Sequence, residues 1–323
     1  MSGIEATGPG PGTTGLAPPE WGGFDASRTR GSGTADVIRS FKTSARLGWQ
    51  MEANWTDPLL FFIYSVAKPV SSALILVFML EVIGGSNPQY RAFVVVGSAL
   101  WAFVLSGISG LAWTVLDDRE RYRMLKYIYV SPSDFLIVLL GRGVARIAVG
   151  GMGAVITLIV GVVVLGVPFD FANVNWPLFI VVMALGLASI IAIGVMLAAI
   201  CLQTRQESWS YPEAMAGAMF LLTGVVFPLA VLPDFAEVLG LINPITWWVE
   251  GVRRAIVPGG PTSIGGEGSL WTAVTGTSAP DGITILVALF LTGALVTLAA
   301  TAIFRSSERR AREEGLLDRT TGS

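Results

Sequence analysis

The chain has 323 residues, of which 53% are hydrophobic and 14% charged, and its formal net charge is −2 with no histidine. Its mean hydropathy is +0.66, and the charged fraction is close to half that of a soluble domain. The single cysteine, Cys201, excludes an intrachain disulfide, and the lack of histidine excludes a histidine-based metal, acid–base or proton-relay site.

Residues 1–35 are rich in Gly, Pro, Ser and Thr and nearly devoid of aliphatic residues. Such a composition cannot bury enough surface to offset chain entropy, so a disordered cytoplasmic tail is expected. The stretch has no apolar core of the kind a cleavable signal peptide needs. Next, Ile38, Phe41, Ala45 and Trp49 recur at helical spacing, and Arg39, Lys42, Arg46 and Gln50 follow one residue later. An apolar stripe beside a basic one reads as an amphipathic helix on the inner leaflet, anchored by Phe41 and Trp49. An ordinary charged lead-in to a span is the plainer alternative.

Six apolar runs follow, near 59–83, 92–116, 135–167, 177–202, 214–232 and 283–304. Each holds about the twenty residues needed to cross roughly 30 Å of hydrocarbon. The chain therefore reads as an all-α polytopic membrane protein with six transmembrane helices. The third run exceeds the length of one span, which leaves its start open by several residues. Asp57-Pro58, Trp176-Pro177 and Tyr211-Pro212 place proline in first turns.

Charge sets the orientation. With the amino terminus cytoplasmic, only Arg91, Arg253 and Arg254 fall in outside segments, and Lys68 lies within a span. The other seventeen of the 21 basic residues lie inside, so both termini are expected in the cytoplasm. Trp55, Trp113 and Trp209 mark predicted inner ends, and Trp176, Trp247, Trp248 and Trp271 the outer side.

Between the second and third spans, 117–126 is dense in charge and is expected to form a short helix. Leu125, Ile128 and Tyr129 give it an apolar side, and Ser131-Pro132 ends it. A charged cytoplasmic helix of this kind suits docking into a groove on a partner protein. A solvated loop anchored by its positive charge fits the same residues, and both readings stand. Between the fifth and sixth spans, Phe227-Pro228 and Leu232-Pro233 are expected to break the fifth helix near its outer end. The apolar patterns in 234–242 and 245–257 are too short to cross, so they re-enter or lie on the outer surface. Residues 258–282 read as a flexible loop.

Two of these stretches carry a family resemblance. Arg119-Glu120, Leu125 and Val130-Ser131-Pro132 look like the cytoplasmic signature of the membrane subunits of type-2 ABC exporters. Phe227-Pro228, Leu232-Pro233, Asn243-Pro244 and Glu250-Gly251-Val252-Arg253 are similar to that family's outer re-entrant segment. The resemblance covers 36–305, with 306–323 as a cytoplasmic tail. It implies that 118–130 is the coupling helix driven by an ATPase, with Glu120, Arg121, Arg123 and Leu125 at the contact. It also implies that 36–53 is a connecting helix. Residues 234–257 would close the outer exit, with Phe227, Pro228, Asn243, Pro244, Glu250 and Arg253 at the gate.

The chain has no G-x-x-x-x-G-K-[ST] motif, so ATP and Mg would be bound by a separate ATPase subunit in two copies, and no cofactor or metal by this chain. One six-span unit forms a single wall of a pathway, so a second copy is expected, most simply as a two-fold homodimer in plasma-membrane lipid. Gly150, Gly151, Gly153, Gly186 and Gly194 suit close helix contact. No nucleic-acid partner is expected.

The function implied is a permease subunit of an ATP-driven exporter, moving a drug, a lipid or a lipid-linked glycan outward. Ser98, Ser106, Ser109 and Thr223 are candidate path residues. Lys68-Pro69 departs from the family, which usually has an uncharged residue there. A charge at that depth is by default functional, although Lys68 could also snorkel to the inner surface. An ion-coupled carrier without an ATPase is the alternative, but the interiors of the predicted spans contain no Asp or Glu, Glu81 lying near an end. A membrane enzyme is disfavoured by the missing histidine and the lack of clustered acids.

Overall fold

The computed structural model describes residues 33–53, 57–83, 87–131, 133–204 and 209–313. Most of the expected tail at 1–35 lies outside these residues, as do Trp55, Pro132, Arg205 and 314–323. Among the described residues all regular structure is helical. In chain order the helices are α1 (Thr34–Ala53), α2 (Pro58–Val82), α3 (Pro88–Leu116), α4 (Leu125–Val130), α5 (Phe135–Val163) and α6 (Trp176–Gln203). They continue with α7 (Ser210–Leu222), α8 (Asp234–Ile242), α9 (Pro244–Ile256), α10 (Leu270–Thr275) and α11 (Gly282–Glu313).

Helix starts follow their caps. Asp57 accepts the Leu59 N–H at 2.9 Å ahead of Pro58, and Asn87 accepts the Gln89 N–H at 3.0 Å ahead of Pro88. Asn175 accepts the Leu178 N–H at 3.2 Å. Each side chain satisfies an orphan donor of the first turn, where proline has none to lose. Ahead of α11, Thr284 donates its hydroxyl to Asp281, which holds that carboxyl below the usual range.

Five helices are long and apolar enough to cross a bilayer: α2, α3, α5, α6 and α11. The expected fifth span, 214–232, does not form one helix. Its residues begin in α7, whose 13 residues reach only about 20 Å at 1.5 Å per residue. The break falls at Thr223 and Gly224, ahead of the prolines expected to cause it, because Gly224 adopts a left-handed φ of 65° that only glycine takes readily. The chain still travels the length of the bundle there. Gln203 at the end of α6 hydrogen-bonds Ser307 of α11, while Gly282 at the start of α11 faces Leu178 at the start of α6. These two helices therefore run parallel, and the connection between them returns from one end to the other.

The third predicted span ends four residues early, at Val163. Gly166 turns left-handed (φ 64°), and the Val167 N–H reaches back to the Gly161 carbonyl at 3.1 Å. The last helix passes its expected end at 304 and runs to Glu313, so 306–313 of the expected tail is helical.

α3 is the central helix, buried over most of its length. α5 packs antiparallel to it, with Gly150 against Ser106 and Gly161 against Val95; α6 packs parallel, with Gly194 against Leu111. The glycines singled out for helix contact are thus used inside the chain: Gly151 faces Phe103, Gly153 faces Pro69, and Gly186 receives the indole of Trp248. Trp247 and Trp248 belong to the core rather than to an interfacial belt. Trp248 is fully buried, its ring 5.9 Å from that of Phe103, and Trp247 donates to the Leu241 carbonyl at 2.7 Å.

Candidate coupling face, gate and cleft

At the end of the bundle that carries α1, the chain leaves α3 through a π-turn over Asp117–Arg121. Insertions of this kind concentrate at functional sites. The turn ends at Arg123, whose φ of 49° is the only positive value at a non-glycine among the described residues. The Met124 N–H then bonds back to the Asp118 carbonyl at 2.9 Å, and α4 begins.

Buried and part-buried charge ties this segment to three helices. Asp118 pairs with Arg142 of α5, both side chains being nearly inaccessible. Asp117 meets Arg146 at 2.6 Å, and Arg146 also holds Glu52 of α1 at 2.9 Å. Arg119 donates to the carbonyls of Cys201 and Thr204, both at 3.0 Å, so it caps the end of α6. The same guanidinium pairs with Glu120 at 2.7 Å.

The predicted coupling residues therefore divide. Leu125 is buried with Phe135 and Leu139, where it seats α4. Arg121, Arg123 and the neighbouring Tyr127 face outward, and Glu120 is part-buried.

α1 docks on α5 through its small residues, a face the sequence reading did not single out. A Cβ on Gly141 would lie 2.7 Å from the Ser44 Cβ, and one on Gly48 would lie 2.7 Å from the Arg142 carbonyl oxygen. Ser40 and Ser133 hydrogen-bond at 3.1 Å. Phe41 and Trp49 remain 37% and 44% exposed, on the surface that is left after docking.

At the opposite end, Asn243 accepts the Ile245 N–H at 3.1 Å and starts α9 ahead of Pro244. Arg253 is buried. It donates to the carbonyls of Gly224 (2.8 Å) and Val225, and its guanidinium stacks 3.6 Å from the centre of the Phe93 ring. Gly97 of α3 leaves the room for this contact. Glu250 accepts Thr262 Oγ1 at 2.7 Å and both the amide and the hydroxyl of Ser263 at 2.8 Å, and Arg254 lies 3.6 Å away. Of the other predicted gate residues, Phe227 and Pro228 lie in the segment between the α7 break and a short 3₁₀ turn at Leu229–Val231.

A cleft of about 800 Å³ is lined by residues of α2, α3 and α5. Lys68 and Ser106 both line it, together with Ser65, Ser72 and Ser98; Thr223 does not, being fully buried at the end of α7. Pro69 deprives the Ser65 carbonyl of its helical donor and loosens α2 beside the cleft.

The sequence profile of the ABC-2 family transporter proteins matches residues 43–303. The chain belongs to that family. It is 25% identical over 198 residues to the "Probable multidrug ABC transporter permease YbhR" of Escherichia coli K12, which spans 60% of this chain and 52% of that protein. The protein of the same name from Escherichia coli O157:H7 matches to the same extent. The chain thus spans about half the length of the curated relatives it matches.

As an ABC-2 permease the chain is a membrane subunit, of a family of transport components rather than enzymes. What its sequence left unread is the set of charge partners. Asp118, Arg142 and Arg146 registered only as charges of a loop and its flank. Asp118 and Arg142 lie 24 positions apart and Asp117 and Arg146 lie 29 apart, spacings that give no periodic signal, and only the antiparallel packing of α3 on α5 brings them together.

Proposed function

We propose that this ABC-2 permease is the transmembrane half of an ATP-driven exporter in the plasma (inner) membrane, worked by a separate ATPase subunit present in two copies. Its ATPase would dock on 118–130, through the outward faces of Arg121, Arg123 and Tyr127. The observation that carries this reading is the ion-paired junction behind that surface: force applied to the π-turn is delivered at once to α1, α5 and α6. A solvated loop would have no such anchorage.

In this reading α7 and the broken segment after it make the sixth crossing, and α8 and α9 form a re-entrant gate at the outer face. The α1 helix lies on the inner leaflet, both termini are cytoplasmic, and a second copy completes the pathway as a homodimer. The relatives' name, multidrug transporter permease, supports an amphipathic or hydrophobic cargo. The test is co-purification of the full chain with an ATPase, followed by reconstitution. ATP-dependent transport that requires both subunits supports the reading, and transport by this chain alone overturns it in favour of an ion-coupled carrier.

A further inference from the structure

The cleft between α2 and the α3–α5 pair carries an unbalanced charge. Two of its lining residues are charged, Glu52 and Lys68. Glu52 is already held by Arg146 at 2.9 Å. The Lys68 ammonium makes no ion pair and no hydrogen bond among the described residues; Ser72 Oγ, at 3.0 Å, reaches its backbone carbonyl and not the ammonium. Lys68 lies ten residues into α2, about 15 Å along its axis, within an apolar helix where an unpaired charge is costly.

The remaining lining is amphipathic. Ser98 spends its hydroxyl proton on the Val94 carbonyl at 2.8 Å. Leu60, Ile63, Trp101, Leu105 and Val149 supply the apolar surface. The volume of about 800 Å³ falls within the range of pockets that enclose drug-sized ligands.

We propose that this cleft is a binding site for an amphipathic anion, with the acid group of the ligand paired to Lys68 and its apolar body against α3 and α5. An anion cancels the one unpaired charge of the site, whereas a cationic amphiphile would face repulsion from it. Treating that ligand as cargo rests on the exporter reading; its binding does not.

The test uses the full chain in phosphatidylcholine nanodiscs and two matched probes, a pyrene-labelled dodecanoate and the corresponding trimethylammonium compound. Wild type is expected to bind the carboxylate at least about tenfold more tightly, and Lys68→Met to lose that preference, as removal of one charge-assisted hydrogen bond predicts. Lys68→Arg should keep the preference and Lys68→Glu reverse it. Ser72→Trp, which fills the cleft and leaves the charge in place, should weaken both probes.

Adding phosphatidylglycerol separates the sources of the acid: displacement of the carboxylate assigns the site to a lipid headgroup, and undisturbed binding assigns it to a free amphiphile. The proposal is overturned if wild type prefers the cation, or if Lys68→Met elutes as wild type and binds the carboxylate unchanged. If Lys68→Met does not fold, equal binding by wild type and Ser72→Trp overturns it instead. Failure of ATP-driven transport with this selectivity intact would strike the exporter reading alone, and the converse would strike the site alone.

Discussion

At the α1 end, Arg142 and Arg146 meet carboxylates delivered by other helices, and Arg142 also reaches Met51, 91 residues away in sequence. At the α9 end the charged groups are satisfied mainly by backbone and hydroxyls nearby in the chain: Glu250 by partners 12 and 13 residues on, Arg253 by carbonyls 28 and 29 residues back. The first arrangement adds ion pairs across helices that already pack closely on one another, α1 on α5 and α5 on α3. The second folds one stretch, from the α7 break to the loop after α9, onto itself. A lever needs the former, and a closure that opens as a unit is built from the latter.

The largest effect is expected where that comparison is sharpest. Asp118→Ala leaves the Arg142 guanidinium buried without its partner, which costs about 3–5 kcal/mol. Thermal unfolding in detergent should show a large fall in midpoint or loss of folded protein. Replacing both members, as Asp118→Leu with Arg142→Met, should recover most of the loss, since an apolar pair of similar volume is often neutral. If the double variant is no more stable than the single one, the pair is not what holds the turn to α5.

Next comes Arg253→Met, which strips the Gly224 and Val225 carbonyls of a charged donor, at about 1.5–3 kcal/mol. Because its hydrogen-bond partners are local and its one distant contact is the Phe93 ring of α3, the damage should stay at this end of the bundle. Hydrogen exchange is expected to rise in 223–233 and 244–256 and to stay at wild-type levels in α1 and α5. A rise throughout the bundle would erase the distinction between the two ends. Gly48→Leu should cost about 1–3 kcal/mol by forcing α1 off α5, read as faster proteolysis within 34–53, with the α9 end untouched.

How far these ends could be read from sequence differs in the same way. Apolar run length located α2, α3, α6 and α11 well, since crossing a bilayer is a demand on composition alone. Asp57-Pro58 and Trp176-Pro177 likewise marked the starts of α2 and α6, a first-turn proline being a local device. Run length failed at 214–232, where a left-handed Gly224 and a guanidinium from thirty residues further on end the helix early. Burial of Trp248 against Gly186, and of Arg253 among carbonyls, depends on α9 turning back into the bundle. Lys68 was visible as an anomaly, but the cleft around it exists only once α2, α3 and α5 are assembled.

The smallest change in stability should accompany the exchange of Glu120 and Arg121, as Glu120→Arg with Arg121→Glu. Arg121 is exposed and Glu120 only part-buried, so solvent screening should hold the cost of the swap, which includes the Glu120 pair with Arg119 and the Arg121 contact with the Tyr122 ring, to about 1 kcal/mol. Arg119 keeps its two carbonyl partners at the end of α6, and the Asp118–Arg142 pair is not touched. A folded permease with its lever intact but the charge pattern of its outward face inverted should therefore retain its thermal midpoint. Transport should nonetheless uncouple from ATP hydrolysis when the variant is reconstituted with its ATPase. If the exchanged protein transports at the wild-type rate per ATP, the motor does not grip this face. The ion-paired junction beneath it would then serve stability rather than the passage of force.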